Sequence, residues 1–291
     1  MENKADMWIS GDWRDYELID CSDGEKLERW GEYLIRRPEL GAKEKHTKSS
    51  IWNRADAYFS ESGNKGGSWC GDKLPPKWEI SYKDLSLYAE PMSFKHMGIF
   101  PEQATNWDFT RSLIEGAGRP VSILNLFAYT GASTIAALKS GASVCHVDSS
   151  RPAIASAKEN LLLNSLEKAP VRWILDDCRK FVLREVRRGN KYDAVIMDPP
   201  GFGRGKNSEI WRIQDELFPF CELCSELLSD NPLFFLINTY SPKIGRKSLE
   251  EISEKHFLSR FGGRAETKEL ALPISLSGKE LLCGVSMRWT K

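Results

Sequence analysis

From Val121 to Asn238 the chain repeats one pattern five times: a short apolar run, then an amphipathic stretch of helical spacing. The runs are Val121–Phe127, Val144–Asp148, Val171–Leu175, Tyr192–Asp198 and Leu233–Asn238. Strands buried on both faces read as continuous apolar runs, and strands joined through helices pair in parallel. The pattern therefore restricts this part of the chain to an open α/β sheet covered by helices on both faces. After Gly262-Gly263 come two extended segments with no helix between them, Ala265–Leu272 and Glu280–Trp289, joined by a Pro/Ser/Gly loop that predicts a terminal hairpin. Seven strands result, and the closing hairpin departs from the steady alternation of a doubly wound nucleotide fold.

The first hundred residues have a different texture. Short extended pieces such as Tyr16–Ile19 and Trp30–Ile35 alternate with turn residues at Ser22-Asp23-Gly24 and Pro38, which predicts a small β-rich domain over 1–105 ahead of the sheet domain at 106–291. Gly41–Ser50 and Ser62–Pro76 read as exposed loops. Seven of the ten Trp lie between Trp8 and Trp107. They suit either a mini-core or stacking surfaces for bases, and the core is favoured because small domains depend on aromatic burial.

Charge and composition exclude several classes. Basic and acidic residues balance at 41 each, so nucleic-acid binding cannot rest on bulk charge and has to be local. Through residue 110 there are 15 basic against 20 acidic residues, and beyond it 26 against 21. No run approaches the roughly 18 to 20 apolar residues of a membrane helix, and the first residues lack a signal-peptide pattern, so a cytoplasmic protein with reduced thiols and no membrane contact is expected. Cys221 and Cys224 form the one CxxC; without further ligands they read as core residues on a helix face with Leu217 and Leu228, and the four His show no metal spacing.

In open α/β sheets ligands sit beyond the carboxyl ends of the strands. Strand one runs into Asn125-Leu126-Phe127-Ala128-Tyr129-Thr130-Gly131, where Gly131 permits a tight turn under a ligand. Asp148, at the end of strand two, follows Gly131 by 17 residues, close to the offset of about 20 at which a carboxylate meets ribose hydroxyls. The alternative for Asp148 is a simple cap or turn. With one glycine and two aromatic residues, the loop suits a pyrophosphate poorly and S-adenosyl-L-methionine, which has no phosphate, better. Strand three ends in Asp176-Asp177, where Asp177 can read an adenine edge or cap the following helix. Strand four ends in Asp198-Pro199-Pro200-Gly201-Phe202. The prolines force the chain out of the sheet with rigid carbonyls; these and Asp198 can accept hydrogen bonds from a target amine, and Phe202 can stack on a flat ring. Gly203–Asn207 reads as a flexible basic loop in which Arg204 and Lys206 can meet RNA, whereas the basic residues of 179–191 read as a solvated helix face.

Taken together, Asn125 to Gly131, Asp148, Asp177 and the Asp198-Pro-Pro-Gly-Phe block resemble class I S-adenosylmethionine-dependent methyltransferases, and more narrowly the bacterial 23S ribosomal RNA methyltransferase family. His96–Gln103 resembles that family's junction before the sheet, so the resemblance runs from about residue 90 to the end; over Met1–Leu87 it is architectural only. It implies a Rossmann-like seven-stranded sheet with a smaller N-terminal β-rich domain. It also implies S-adenosyl-L-methionine held by Asn125, Phe127, Tyr129, Gly131, Asp148, Asp177 and Asp198, and an RNA acceptor at Asp198, Pro199, Pro200 and Phe202. Two positions depart from the family: Ala104 replaces the Arg of the junction signature, and Tyr240 stands where members that methylate cytosine carbon-5 carry Cys. Attack at a ring carbon requires a thiolate, so methylation of a base nitrogen of ribosomal RNA is expected. Alternatives are methylation of a small molecule or protein, in keeping with the neutral charge, and an RNA-binding or assembly module that retains the fold without turnover.

Overall fold

Up to residue 103 the chain is built of short strands: β1 (Met7–Ile9), β2 (Tyr16–Ser22), β3 (Glu25–Trp30), β4 (Tyr33–Pro38), β5 (Ala57–Glu61), β6 (Gly67–Cys70), β7 (Trp78–Tyr82) and β8 (Leu85–Ala89). The computed structural model describes residues 4–62, 66–71, 74–92, 94–204 and 210–291. Strands β2 to β6 form one sheet in sequence order, and β7 with β8 a separate hairpin. Asp23 (φ 54°) and Gly24 (φ 79°) join β2 to β3, the left-handed pair that matches a two-residue turn to the twist of its strands.

The chain divides into two units by its contacts. One holds residues up to Met7 with Asn106–Glu269 and Gly284–Lys291; the other holds Trp8–Thr105 and Leu270–Cys283. Within the second unit, the Ser10 N–H donates to the Ala271 carbonyl, and the Ser275 and Leu276 N–H groups donate to the Leu18 and Ile19 carbonyls. Its tryptophans serve packing: Trp30 and Trp52 are buried, and Trp13, Trp52, Trp69 and Trp78 give their indole N–H to Pro101, Asp20, Met92 and Trp30 respectively. Glu28 is fully buried and accepts from Arg37 at 2.6 Å and Tyr16 at 2.8 Å, with Lys26 Nζ at 3.3 Å. Burial alone would raise its carboxyl, but Arg37 and Lys26 hold it down at about 2.

The larger unit carries α1 (Ala104–Gly116), β9 (Ser122–Leu126), α2 (Ala132–Lys139), β10 (Ser143–Asp148), α3 (Arg151–Leu163), β11 (Val171–Leu175), α4 (Cys178–Arg188), β12 (Ala194–Met197), β13 (Phe202–Arg204), β14 (Ile210–Arg212), α5 (Ile213–Ser225), β15 (Phe234–Thr239), α6 (Arg246–Ser253) and α7 (Ser259–Phe261). The terminal hairpin is β16 (Arg264–Pro273) and β17 (Glu280–Thr290). The sheet runs β1-β16-β17-β15-β12-β9-β10-β11. The central pairings are parallel, and β17 lies antiparallel against β15. The seven expected strands are thus present, joined by an eighth at the edge, β1, whose three residues are too short to show a period. The chain leaves β9 toward β10 and β11 and returns to β12 and β15 on the other side, so the topological switch point falls between β9 and β12.

Leu217, Cys221 and Cys224 of α5 lie fully buried against the sheet, and burial pushes both thiols far above their ordinary range. The basic face of α4 is paired: Arg179 with Glu216, Arg184 with Asp176, and Arg188 with Glu185. Gly203 and Arg204 are strand residues where the sequence predicts a loop. They belong to a short hairpin in which Gly203 faces Trp211 and Arg204 faces Ile210, again with strands too short to announce themselves by alternation.

Candidate functional site

Register brings the strand ends into line. Leu126 pairs with Val147 on one side and Met197 on the other, and Met197 pairs with Ile237. The next residues, Asp148, Phe127, Asp198 and Asn238, therefore stand in one row at the carboxyl edge, about 4.8 Å apart from strand to strand.

The bend after β9 is strained. Phe127, Tyr129 and Gly131 have φ of 54°, 49° and 85°, and each non-glycine residue in the left-handed region costs on the order of 1–2 kcal/mol. A ring of bonds holds the bend. The Phe127 N–H donates to Cys178 Sγ at 3.3 Å, Ala128 to the Val147 carbonyl at 3.1 Å, Tyr129 to Asp148 Oδ2 at 2.9 Å, and Gly131 to the Ala128 carbonyl at 3.0 Å. Asn160 Nδ2 donates to the Thr130 carbonyl at 2.9 Å. Glycine is required at 131, since a Cβ there would lie 2.9 Å from that of Ala157. No side chain caps α2, which starts at the next residue.

Asp148 braces this loop. Its Oδ1 accepts from the Ser150 N–H at 2.7 Å while Oδ2 takes Tyr129. Burial raises its pKa, and the Ser150, Tyr129 and Ser149 amides only partly offset that. Two carboxylate oxygens offer about four acceptor positions, so capacity remains for hydroxyl donors. Asn125 lies deeper: it is buried, its Nδ2 donates to Thr134 Oγ1 at 2.9 Å, and His146 Nδ1 lies 2.9 Å from the same hydroxyl. Burial depresses His146 to about 3, so it stays neutral. Asp177 caps α4, accepting the Lys180 N–H at 2.9 Å.

On the other side of β9, Asp198 Oδ1 accepts from Asn238 Nδ2 at 3.1 Å. Asn238 is buried and its Oδ1 has no hydrogen-bond partner; flipping the amide would set two oxygens against each other. Pro199 is buried and Pro200 exposed, and the Pro200 carbonyl accepts the Trp211 indole N–H at 2.6 Å. Phe202 is 56% exposed. Arg204 contributes its backbone to β13, and Lys206 lies outside the described residues. Tyr240 lies over the backbone of Gly284, where a Cβ would come within 2.9 Å of its ring. Cys145 and Cys178 are buried with raised pKa values, Cys145 to about 11, which leaves them poor nucleophiles. Among the described residues no group of three or more His, Cys, Asp or Glu can hold a metal ion, and no helix is long and apolar enough to cross a membrane.

Sequence reasoning missed two residues here. Asn238 carried a usable signal, since it ends its strand as Asp198 ends the neighbouring one. Trp211 carried none, because its place depends on the β13–β14 hairpin.

Residues 68–268 match the S-adenosylmethionine-dependent methyltransferase family. Ribosomal RNA large subunit methyltransferase I of Yersinia pseudotuberculosis is 29% identical over 162 residues, covering 54% of this chain and 40% of that protein. The protein of the same name from Erwinia tasmaniensis is 32% identical over 138 residues, 47% of this chain and 34% of its own. The chain thus spans well under half the length of these curated relatives. The crystal structure of an S-adenosylmethionine-dependent methyltransferase from Agrobacterium tumefaciens superposes with a TM-score of 0.93 at 36% identity, over 98% of this chain and 93% of that one. A putative methyltransferase of the same class from Streptococcus mutans, at 17% identity, a TM-score of 0.71 and coverage of 95% and 76%, shares the fold. With the family match covering residues 68–268, which include the Phe127–Gly131 bend and the Asp198 loop, the chain belongs to the S-adenosylmethionine-dependent methyltransferases.

Proposed function

We propose that the protein transfers the methyl group of S-adenosylmethionine to a base nitrogen of ribosomal RNA. The observation that carries this reading is the row of strand ends, in which the strained Phe127–Gly131 bend lies between the carboxylates of Asp148 and Asp198. The residues fit a nucleoside sulfonium. A single glycine with two aromatic neighbours offers no pyrophosphate nest, and Asp148 keeps acceptor positions for ribose hydroxyls.

Phe127, Tyr129, Gly131 and Asp148 form the donor side, with Asn125 and Asp177 supporting it from the sheet and from the start of α4. When bound, the donor supplies an electrophilic methyl on sulfur. Asp198 and the Pro199 carbonyl orient an acceptor amine on the other side, where Asp198 also borders the donor, and Phe202 offers an exposed ring to a flat base. Catalysis then rests on positioning a nitrogen lone pair, with no covalent adduct; Tyr240, in place of a thiol, supports a nitrogen target. The names of the two curated relatives support ribosomal RNA. So does the sequence reading of Arg204 and Lys206 as basic residues that follow Asp198-Pro-Pro-Gly-Phe in the chain, and the unit formed mainly by residues 8–105 is the proposed recognition element. Ribosomal RNA as substrate would place the protein in the cytoplasm.

The test incubates the protein and labelled S-adenosylmethionine with total RNA from a strain lacking it. Label is expected in ribosomal RNA, and Asp198→Ala should lower turnover by roughly 100-fold, within the usual range for positioning and electrostatic groups. Unlabelled RNA overturns the RNA reading, and an Asp198→Ala variant of full activity overturns the acceptor assignment.

A further inference from the structure

Trp211 lies outside both loops of the site yet touches each. Its indole N–H donates to the Pro200 carbonyl of the acceptor loop at 2.6 Å. Its ring packs on Phe127, the first residue of the donor bend, with centroids 5.3 Å apart, and on Phe220 of α5 at 5.6 Å; Phe127 and Phe220 are themselves 5.9 Å apart. The residues after it continue the tether, with the Ile213 N–H donating to the Gly201 carbonyl at 3.2 Å. An indole is one of few side chains able to do both jobs, with an apolar body for the aromatic cluster and a polar edge for a carbonyl.

We propose that Trp211 is a positioning residue that fixes donor and acceptor loops relative to each other. The proposal rests on the methyl-transfer reading above. Two consequences follow from the geometry. First, the Pro200 carbonyl is turned to the indole, which leaves Asp198 and the Pro199 carbonyl to meet an acceptor amine. Second, Phe127 occupies a left-handed conformation that its ring contacts help to hold, so a donor settling on this bend meets a loop already set by Trp211.

The two jobs separate by substitution. Trp211→Phe keeps an aromatic ring and loses the N–H; Trp211→Ala loses both. For Trp211→Phe, calorimetry should give an affinity for S-adenosylmethionine and its demethylated product within about 3-fold of wild type. Its turnover on RNA should fall about 3- to 10-fold at unchanged donor KM, as expected for one net hydrogen bond. Hydrogen exchange at Gly201 and Phe202 should quicken while the thermal midpoint holds, a combination that a merely structural role would not give. For Trp211→Ala, donor affinity should fall as well, by about 10-fold. Wild-type turnover and unchanged loop exchange in Trp211→Phe overturn the acceptor half, and wild-type donor affinity in Trp211→Ala overturns the donor half. If the wild-type protein labels no RNA, the substrate reading fails by itself, and calorimetry with hydrogen exchange still decides Trp211.

Discussion

Gly131→Ala separates backbone strain from steric exclusion at the donor bend. Gly131 has φ of +85°, and an added Cβ would lie 2.9 Å from Ala157 Cβ and 3.4 Å from Ala157 Cα. The left-handed backbone alone costs an alanine about 1–2 kcal/mol, and forced overpacking adds about 1–3 kcal/mol, so the substitution should destabilise by about 2–5 kcal/mol. Gly118 is the internal control: its φ is +63° and a Cβ there meets nothing within 4 Å, so Gly118→Ala should cost only the backbone share. Ala157 lies within α3, so Ala157→Gly alone should cost about 1 kcal/mol in helix propensity. Combined with Gly131→Ala it should remove the clash, giving a coupling of about 1–3 kcal/mol. Urea unfolding at constant slope measures all four variants, and calorimetry with S-adenosylmethionine follows the donor site. The reasoning is refuted if Gly131→Ala and Gly118→Ala cost the same and donor affinity is unchanged.

Asn238→Ala removes the donor to Asp198 and should lower turnover about 10-fold while donor affinity holds. Asn238→Asp should raise the pKa of the resulting carboxyl pair and move the acid limb of the turnover profile upward, since two adjacent carboxylates resist joint ionisation; an unmoved limb would detach Asn238 from Asp198. In the N-terminal unit, Glu28 has a pKa depressed from 4.5 to about 2. Its stabilisation is therefore complete above pH 4.5 and lost as the pH falls toward 2. Glu28→Gln should flatten that acid limb in urea titrations and lower stability near neutrality by about 3–5 kcal/mol, because buried Arg37 loses its carboxylate partner while Lys26 is left with Glu39; an unaltered acid limb would show that other carboxylates govern it.

The central sheet was legible because its inner parallel strands β9, β10, β12 and β15 are buried on both faces. Runs such as 234–237 are then apolar throughout, and the strand gives out where polar residues resume at Asn238 and Thr239. Strand β1 and the β13–β14 hairpin escaped for the converse reason: three residues hold at most one alternation. The membership of Leu270–Cys283 in the N-terminal unit was equally invisible. Those residues read as hairpin whichever neighbours they meet, and bonds such as Ser275 to Leu18 link positions far apart in sequence.

The site was legible where a residue type is forced by geometry and illegible where a residue is held against its preference. Gly131 could be read as a turn because only glycine combines its φ with the closeness of Ala157. Phe127 and Tyr129 could not, since nothing in their chemistry favours positive φ, and their conformation exists only because Cys178, Asp148 and the Phe127–Trp211–Phe220 cluster impose it. Conformations disfavoured locally and fixed by surroundings are the ones a fold retains at working sites. By that measure Asp148 has two offices: the carboxylate proposed to meet a ribose is also the one that accepts the Tyr129 amide. Replacing it removes a prospective ligand group and a restraint on the bend in one step. An Asp148→Asn variant should therefore lose more donor affinity than a single hydrogen bond accounts for, well beyond about 10-fold, with faster amide exchange at Tyr129 even when no donor is present.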